Sequence, residues 1–254
     1  MIQRFAAIAG ELALGSVCAG CEGEPGLLCA GCHAELHGPA GVIRSVPAGS
    51  QPAPTSGPPP AAAPAHLPVT AVAEYAGPVR DVILAHKERG RLGLARPLGD
   101  ALATAVVALI EGVPGVLDEA PVALVPVPST RSVVRQRGHD PLGRLARHSA
   151  TVLRRVGYEC AVVPALRHQR TVADQAGLGT EARHANLDHA LTVRRSADAV
   201  LAGRLVVVVD DVITTGATLS EAARALTSAG HLPSGAAVIA NTSGVLDADP
   251  TATR

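Results

Sequence analysis

Two adjacent carboxylates, Asp210 and Asp211, are followed after two apolar residues by the turn Thr214-Thr215-Gly216-Ala217-Thr218. Side by side, carboxylates can accept hydrogen bonds from a vicinal diol or hold water around Mg2+. The turn can aim successive backbone N–H groups and three hydroxyls at one phosphate, helped by the positive end of a following helix. Gly216 lets the backbone come close to such a ligand. Together these residues make a donor and acceptor set suited to a ribose 5-phosphate. A plainer role exists for two of them: Asp211 could cap a turn, and Thr218 could cap a helix starting near Leu219. That role leaves unexplained why two acids stand together at the end of the apolar run Val206-Val207-Val208-Val209. No Gly-x-x-x-x-Gly-Lys-Ser/Thr loop occurs, which excludes a P-loop nucleotide site.

The second chemical pattern is Cys18-x2-Cys21-x7-Cys29-x2-Cys32. Each Cys-x2-Cys pair can present two thiolates from one tight turn, and two such knuckles make a tetrahedral four-sulfur site for which zinc is the leading metal. Disulfides or a redox dithiol are the competing reading, and His33 could replace one ligand. A closed four-ligand site implies a role in folding and docking, not in chemistry. Cys160, outside the pattern at the start of an apolar run, reads as a buried thiol.

The third pattern is basic. Val125-Pro126-Val127-Pro128-Ser129-Thr130 leads into a stretch from Arg131 to Arg155 with seven arginines and one acid, Asp140. Guanidinium forks suit phosphate oxygens. Arg144, Arg147, Arg154 and Arg155 fit the wet face of an amphipathic helix, whereas Arg135 and Arg137, in a loop before Gly138, are the better anion ligands. Lys87 is the only lysine beside 21 arginines, and its plain reading is a solvated helix end.

Elements must carry these residues to one place. The four valines predict a strand over 205–210 buried on both faces, with the acids at its C-terminal end, where ligands bind in open parallel sheets. Further strands are expected over 69–75, 122–127, 161–166 and 236–241. Helices are expected over 78–86, 98–110, 140–156 (Asp140 as N-cap, Pro141 at the first position) and 219–229, with a helical turn over 180–186. This alternation predicts an α/β fold, a mostly parallel sheet with helices on both faces, preceded by a small zinc ribbon. The ribbon segment would span 1–43 and the main domain 69–254. Between them lies a Pro/Ala-rich linker, 44–68, which contains Pro58-Pro59-Pro60 and is expected to be extended or disordered.

Composition narrows the classes. The chain is 47% hydrophobic with zero net charge, so global electrostatics recruit neither nucleic acid nor anionic lipid. Its only aromatics are Phe5, Tyr75 and Tyr158, too few for a base-stacking platform. Glu11 interrupts the apolar N-terminal stretch, and no uninterrupted apolar run reaches the about 20 residues that span a bilayer. The expectation is a cytoplasmic protein with no membrane insertion.

The run from Val206 to Thr218 resembles the 13-residue phosphoribosyl pyrophosphate (PRPP) motif of type I phosphoribosyltransferases. The whole chain resembles one family with that domain, the ComF competence proteins. The resemblance is carried by the four-cysteine ribbon, Tyr75-Ala76-Gly77 leading to Lys87, Val125 to Pro128 before Arg135-Gln136-Arg137-Gly138, Arg170-Thr171 leading to Gln175, Arg183-His184-Ala185-Asn186, and the PRPP motif. It implies a type I phosphoribosyltransferase-like sheet. Asp210 and Asp211 would face the ribose, and Thr214, Thr215, Gly216, Ala217 and Thr218 would hold the 5-phosphate. Lys87, Ser129, Arg135 and Arg137 would lie along the pyrophosphate. It also implies Mg2+ with PRPP, structural Zn2+ at Cys18, Cys21, Cys29 and Cys32, and a flap over 171–180. The implied activity is phosphoribosyl transfer to an unidentified acceptor with release of pyrophosphate. The alternative it implies is a non-catalytic factor in DNA uptake, working with a helicase-like partner or single-stranded DNA. Three features depart from the pattern. His139-Asp140 follow Arg-Gly where an aromatic and Asn are usual, Leu191 replaces an aromatic, and the linker is unusually long.

Overall fold

A computed structural model describes residues 17–48, 66–112, 120–169 and 190–242. The elements in chain order are α1 (Ala30–Leu36), β1 (Gly41–Pro47), β2 (His66–Ala71), β3 (Ala73–Glu74), α2 (Gly77–Lys87), α3 (Ala95–Gly112), β4 (Val122–Pro126) and α4 (Arg131–Arg137). They continue with α5 (Pro141–Arg155), β5 (Cys160–Val162), β6 (Leu166–His168), β7 (Leu191–Val193), α6 (Asp198–Leu201), β8 (Leu205–Ile213), α7 (Ala217–Ser228) and β9 (Pro233–Asn241). Much of the expected linker, the turn over 180–186, the flap over 171–180 and the residues Arg170, Thr171, Gln175, Arg183 and Asn186 lie outside the described residues.

The main sheet runs β1-β2-β9-β8-β4-β5, with β3 also paired to β9. Only the β1–β2 pair is antiparallel; every other pairing in this sheet is parallel. β8 lies between β4 and β9, so the four valines are covered on both faces. Alternate side chains divide between two cores. Val207 and Val209 pack with α3 residues Leu98, Leu102 and Leu109, while Val206 and Val208 pack with Leu219, Ala222 and Leu226 of α7. Each fully buried leucine contributes about 1.5–3 kcal/mol over its exposed state.

α3 is the one helix among the described residues, counted with its preceding turn as Leu92–Gly112, that is long and apolar enough to cross a membrane. Here it lies across the sheet with ten of its residues buried. Thr70 of β2 donates its hydroxyl to the Ala105 carbonyl of α3 at 2.8 Å, and so ties the helix to the strand beneath it.

Several elements differ from expectation. The strand expected over 161–166 is two strands in different sheets, β5 and β6, because Pro164 between them has no N–H to continue a ladder. The segment with Arg135 and Arg137 is helical, with Thr130 as N-cap and Gly138 closing it at φ 71°. β8 continues through both acids to Ile213 instead of ending at 210. Strands enter both ends of the expected linker: Ser45, Val46 and Pro47 of β1 pair with Pro68, Leu67 and His66 of β2. The ribbon also shares the core beneath α3, since Ala19 and Leu36 pack in the cluster that holds Val82, Leu98 and Leu102.

At Gly235 in β9 an added Cβ would come within 2.5 Å of Leu109 Cδ1, and Leu109 is fully buried with nowhere to move. Gly235→Ala should therefore lower stability by about 1–3 kcal/mol through overpacking. The measurement is a reduced urea midpoint with an unchanged m value; an unaltered midpoint would show that the α3 interface can yield.

Candidate ligand site and metal centre

Asp210 and Asp211 are successive residues near the end of β8, close enough for their side chains to interact with each other. Their immediate partners differ. Asp211 is 7% exposed and meets Lys87 at the end of α2, with Nζ 2.8 Å from Oδ2 and 3.2 Å from Oδ1. Burial works against the Lys87 ammonium, but the charge and hydrogen bond of Asp211 and the charge of Asp210 outweigh it, so its pKa is raised. Asp210 accepts the Asp211 backbone N–H at 2.9 Å. Burial first, and then the neighbouring Asp211 charge, push its carboxyl up to about 7, with Lys87 pulling the other way. One carboxylate is thus ion-paired, and the other is poised to hold a proton near neutrality.

β8 ends at Ile213, and α7 begins at Ala217 after the three residues Thr214, Thr215 and Gly216. Gly216 is its N-cap in the left-handed region at φ 83°, and as glycine it has no side chain with which to cap the helix. Thr218 therefore lies inside the first turn and is not the cap of a later helix. Thr215 Oγ1 accepts the Ala217 N–H at 3.3 Å. Gly216 is required for a reason absent from the local sequence: an added Cβ would stand 2.6 Å from Val46 Cγ1 on β1. Loop and helix start together offer backbone N–H groups and hydroxyls beside the acid pair, the arrangement that suits an anion.

The basic residues arrive from two directions. Arg137, in the last turn of α4, pairs through Nε and Nη2 with both carboxylate oxygens of Glu88. Glu88 follows Lys87, so two consecutive residues at the end of α2 engage Asp211 and Arg137. Arg135 is exposed on α4, and Ser129 is half-buried in the connection after β4. Asp140 caps α5, accepting the Gly143 N–H at 3.0 Å. His139 donates from Nδ1 to the Arg137 carbonyl at 2.9 Å and meets the ring of the buried His86 edge-on at 5.9 Å. Leu191 is buried in β7, where its N–H donates to Glu221 Oε1 at 2.8 Å. Sequence reading missed Glu88, for which adjacency to Lys87 was the sole signal.

Near the N-terminus the four cysteines converge, their sulfurs all within 4.8 Å of one another. Cys21 Sγ and Cys29 Sγ are 3.8 Å apart, close to the about 3.8 Å edge of a tetrahedron with 2.3 Å Zn–S bonds. All five cysteines of the chain are free thiols. Backbone N–H groups point at the sulfurs: Gly20 and Cys29 donate to Cys18 Sγ at 3.4 and 3.3 Å, and Cys32 donates to Cys29 Sγ at 3.4 Å. Burial opposes the Cys18 thiolate, but the backbone donors prevail and bring its pKa down to about 6. Burial and the neighbouring sulfurs push the Cys32 thiol up. A cation at the centre would satisfy all four sulfurs, and the site fits zinc. His33 is not in the cluster; its ring stacks on His37 at 4.3 Å. Cys160 is buried, and burial pushes its thiol up to about 11.

A family model for the phosphoribosyl transferase domain matches residues 145–246. That stretch of the chain is similar to a phosphoribosyltransferase domain. The matched span runs from α5 through the acid pair and the Thr loop to the end of β9, so Lys87, Arg135, Arg137 and the four-cysteine cluster lie outside it. The mostly parallel sheet with helices on both faces is the fold such a domain requires. No curated protein matches the sequence closely.

Two outcomes follow from this geometry. Zinc should be present at about one atom per chain in protein purified without chelator, measured by elemental analysis, and a Cys18→Ser, Cys32→Ser variant should lose it. The second concerns Asp210, whose pKa rises from the ordinary 3.8 to about 7 on folding. Its contribution to stability is complete below 3.8 and is lost as pH rises through about 7, because over that interval only the folded chain keeps the proton. Asp210→Asn removes this dependence. The stability of the variant relative to wild type should climb from about pH 4 to about pH 7 and then level off, as read by urea unfolding across pH.

Proposed function

We propose that the protein binds PRPP with Mg2+ at the C-terminal edge of β8 and β4 and transfers its phosphoribosyl group to an acceptor, releasing pyrophosphate. The observation that carries this is the assembly around one strand end: the acid pair, the helix start at Gly216, and Lys87 reaching Asp211 from 124 residues away. In this reading Asp210 and Asp211 receive the ribose hydroxyls, and the segment from Thr214 to Thr218 holds the 5-phosphate. Lys87, Ser129, Arg135 and Arg137 hold the pyrophosphate. Mg2+ carried in with PRPP supplies charge neutralisation on the leaving group.

During transfer the C1–oxygen bond to pyrophosphate breaks, its electron pair leaves with pyrophosphate, and a lone pair of the acceptor forms the new bond to C1. No protein nucleophile is needed. The chain's contribution is to orient the ribose, stabilise the leaving anion, and place carboxylate charge near the cationic ring of the transition state. Ligand binding and transfer share these residues. A non-catalytic factor in DNA uptake would use the fold as a ligand sensor or as a docking platform, and a docking platform predicts a different response from the arginines.

PRPP with Mg2+ should raise the melting temperature by mass action, and Asp210→Asn with Asp211→Asn should abolish the shift while the variant still folds. Replacing Arg135 and Arg137 by Ala should weaken PRPP about tenfold or more but leave ribose 5-phosphate nearly unchanged, since each charge-assisted contact contributes about 1.5–3 kcal/mol. Equal PRPP shifts in wild type and the acid-pair variant would refute the site. Salt-sensitive single-stranded DNA binding that depends on these arginines, with no response to PRPP, would favour the uptake factor.

A further inference from the structure

Arg91 joins the cysteine ribbon to the helix end that carries Lys87. Its guanidinium donates to two ribbon carbonyls, Val17 O from Nη1 at 2.7 Å and Gly26 O from Nη2 at 3.4 Å. These carbonyls flank the Val17–Pro25 bridge that closes the first knuckle around Cys18 and Cys21. The backbone of the same residue closes the end of α2: the Arg91 N–H donates to Ala85 O at 3.1 Å, and its carbonyl lies 3.4 Å from Nδ1 of His86. Gly90, at φ 65°, allows the chain to turn back for this contact. Lys87 and Glu88 lie between the two anchor points, Ala85 and Arg91.

The ribbon holds α2 at a second point as well. Gly20 stands so close to Pro78, in the first turn of α2, that a Cβ there would be 3.0 Å from Pro78 Cβ and 2.8 Å from Cys32 Sγ. Arg89 Nη1 also approaches Glu22 Oε1 at 3.9 Å. α2 is thus fastened to the ribbon at both ends, and the ends of its last turn face Asp211 and Arg137.

We propose that the four-cysteine ribbon positions the pyrophosphate side of the ligand site, with Arg91 as the positioning residue that transmits the ribbon's order to Lys87. This rests on the reading of Lys87 as a pyrophosphate contact. A ribbon this small folds only with its metal, so the carbonyls that receive Arg91 are in place only when the cysteines are ligated. The residues flanking the 5-phosphate loop, Ile213 and Leu219, belong to a core cluster that holds Val46 of β1 and, among the described residues, none of the ribbon. The coupling is therefore selective: it acts on ligands with a pyrophosphate and spares ribose 5-phosphate. Linkage makes it reciprocal, so a pyrophosphate-bearing ligand must tighten zinc binding by the factor by which zinc tightens the ligand.

The test uses the full zinc-loaded chain. Calorimetric titration of Arg91→Ala should show PRPP with Mg2+ weakened about fivefold or more, the lower end of typical coupling between sites, with ribose 5-phosphate unchanged. Arg91→Lys keeps the charge and one donor and should fall between the two. In wild type, competition with a zinc-selective chelator should show tighter zinc in the presence of PRPP than of ribose 5-phosphate, and Arg91→Ala should erase that difference. This wild-type measurement stands even if Arg91→Ala does not fold. Equal weakening of both ligands, no weakening of either, or zinc affinity indifferent to PRPP would each overturn the proposal. If wild type binds neither ligand, the ligand-site reading fails, and hydrogen exchange then decides the ribbon's role. Faster exchange at 84–88 after zinc removal, with 219–228 unchanged, upholds the ribbon's hold on α2; unchanged exchange at 84–88 overturns it.

Discussion

A carboxylate buried at the end of a central strand has to meet a positive charge, and for Asp211 that charge is Lys87. The arrangement of the whole site depends on this contact. It requires α2 to end beside β8, although the two are far apart in the chain, and it brings Glu88 within reach of the arginine helix α4. Removing one member of such a pair is costly because the other is left desolvated and uncompensated. The contact thus constrains α2 from one side, while the ribbon constrains it from the other through Arg91 and Gly20.

The two acids of the pair do different work because the strand places them differently. Asp211 meets Lys87 directly, whereas Asp210 feels the same charge without an ion-pair contact to it. Burial and the neighbouring Asp211 charge then raise the proton affinity of Asp210. A carboxyl group shifted in this way is characteristic of sites that bind or process charged ligands. Without ligand, the site is also charge-compensated internally: Lys87 with Asp211, and Arg137 with Glu88. In the proposed reading, an incoming polyanion would compete with Glu88 for Arg137, and an incoming cation would compete with Lys87 for the acid pair.

The cysteine cluster and the sheet are not independent bodies joined by a tether. Leu36 and Ala19 share a core with Leu98 and Leu102 of α3, and β1 adds itself to the edge of the sheet beyond β2. Val46 of that added strand presses on Gly216, so the N-terminal segment shapes the phosphate loop directly. The Thr loop is therefore in contact with β1, and α2, which carries Lys87 at its end, is in contact with the ribbon through Pro78 and held to it by Arg91 just beyond.

Features that depend on near neighbours were legible in the sequence. Four consecutive β-branched residues mean a strand covered on both faces, Asp140-Pro141 means a helix start, and two Cys-x2-Cys turns mean four converging sulfurs. These follow from backbone preference and hydrophobic pattern over a few residues, and the acid pair with its Thr loop is legible for the same reason. What only the tertiary structure decided involves partners far apart in the chain. A proline- and alanine-flanked segment becomes β1 because β2 offers it an edge to pair with. Gly216 is needed because Val46 arrives there, and Arg137 is engaged because α2 ends beside it. Arg91 looks like any solvated arginine until the ribbon carbonyls are placed beneath it. Local sequence encodes which conformations and chemistries are available, but a hydrogen bond or ion pair across a hundred residues is determined only when packing brings its two ends together.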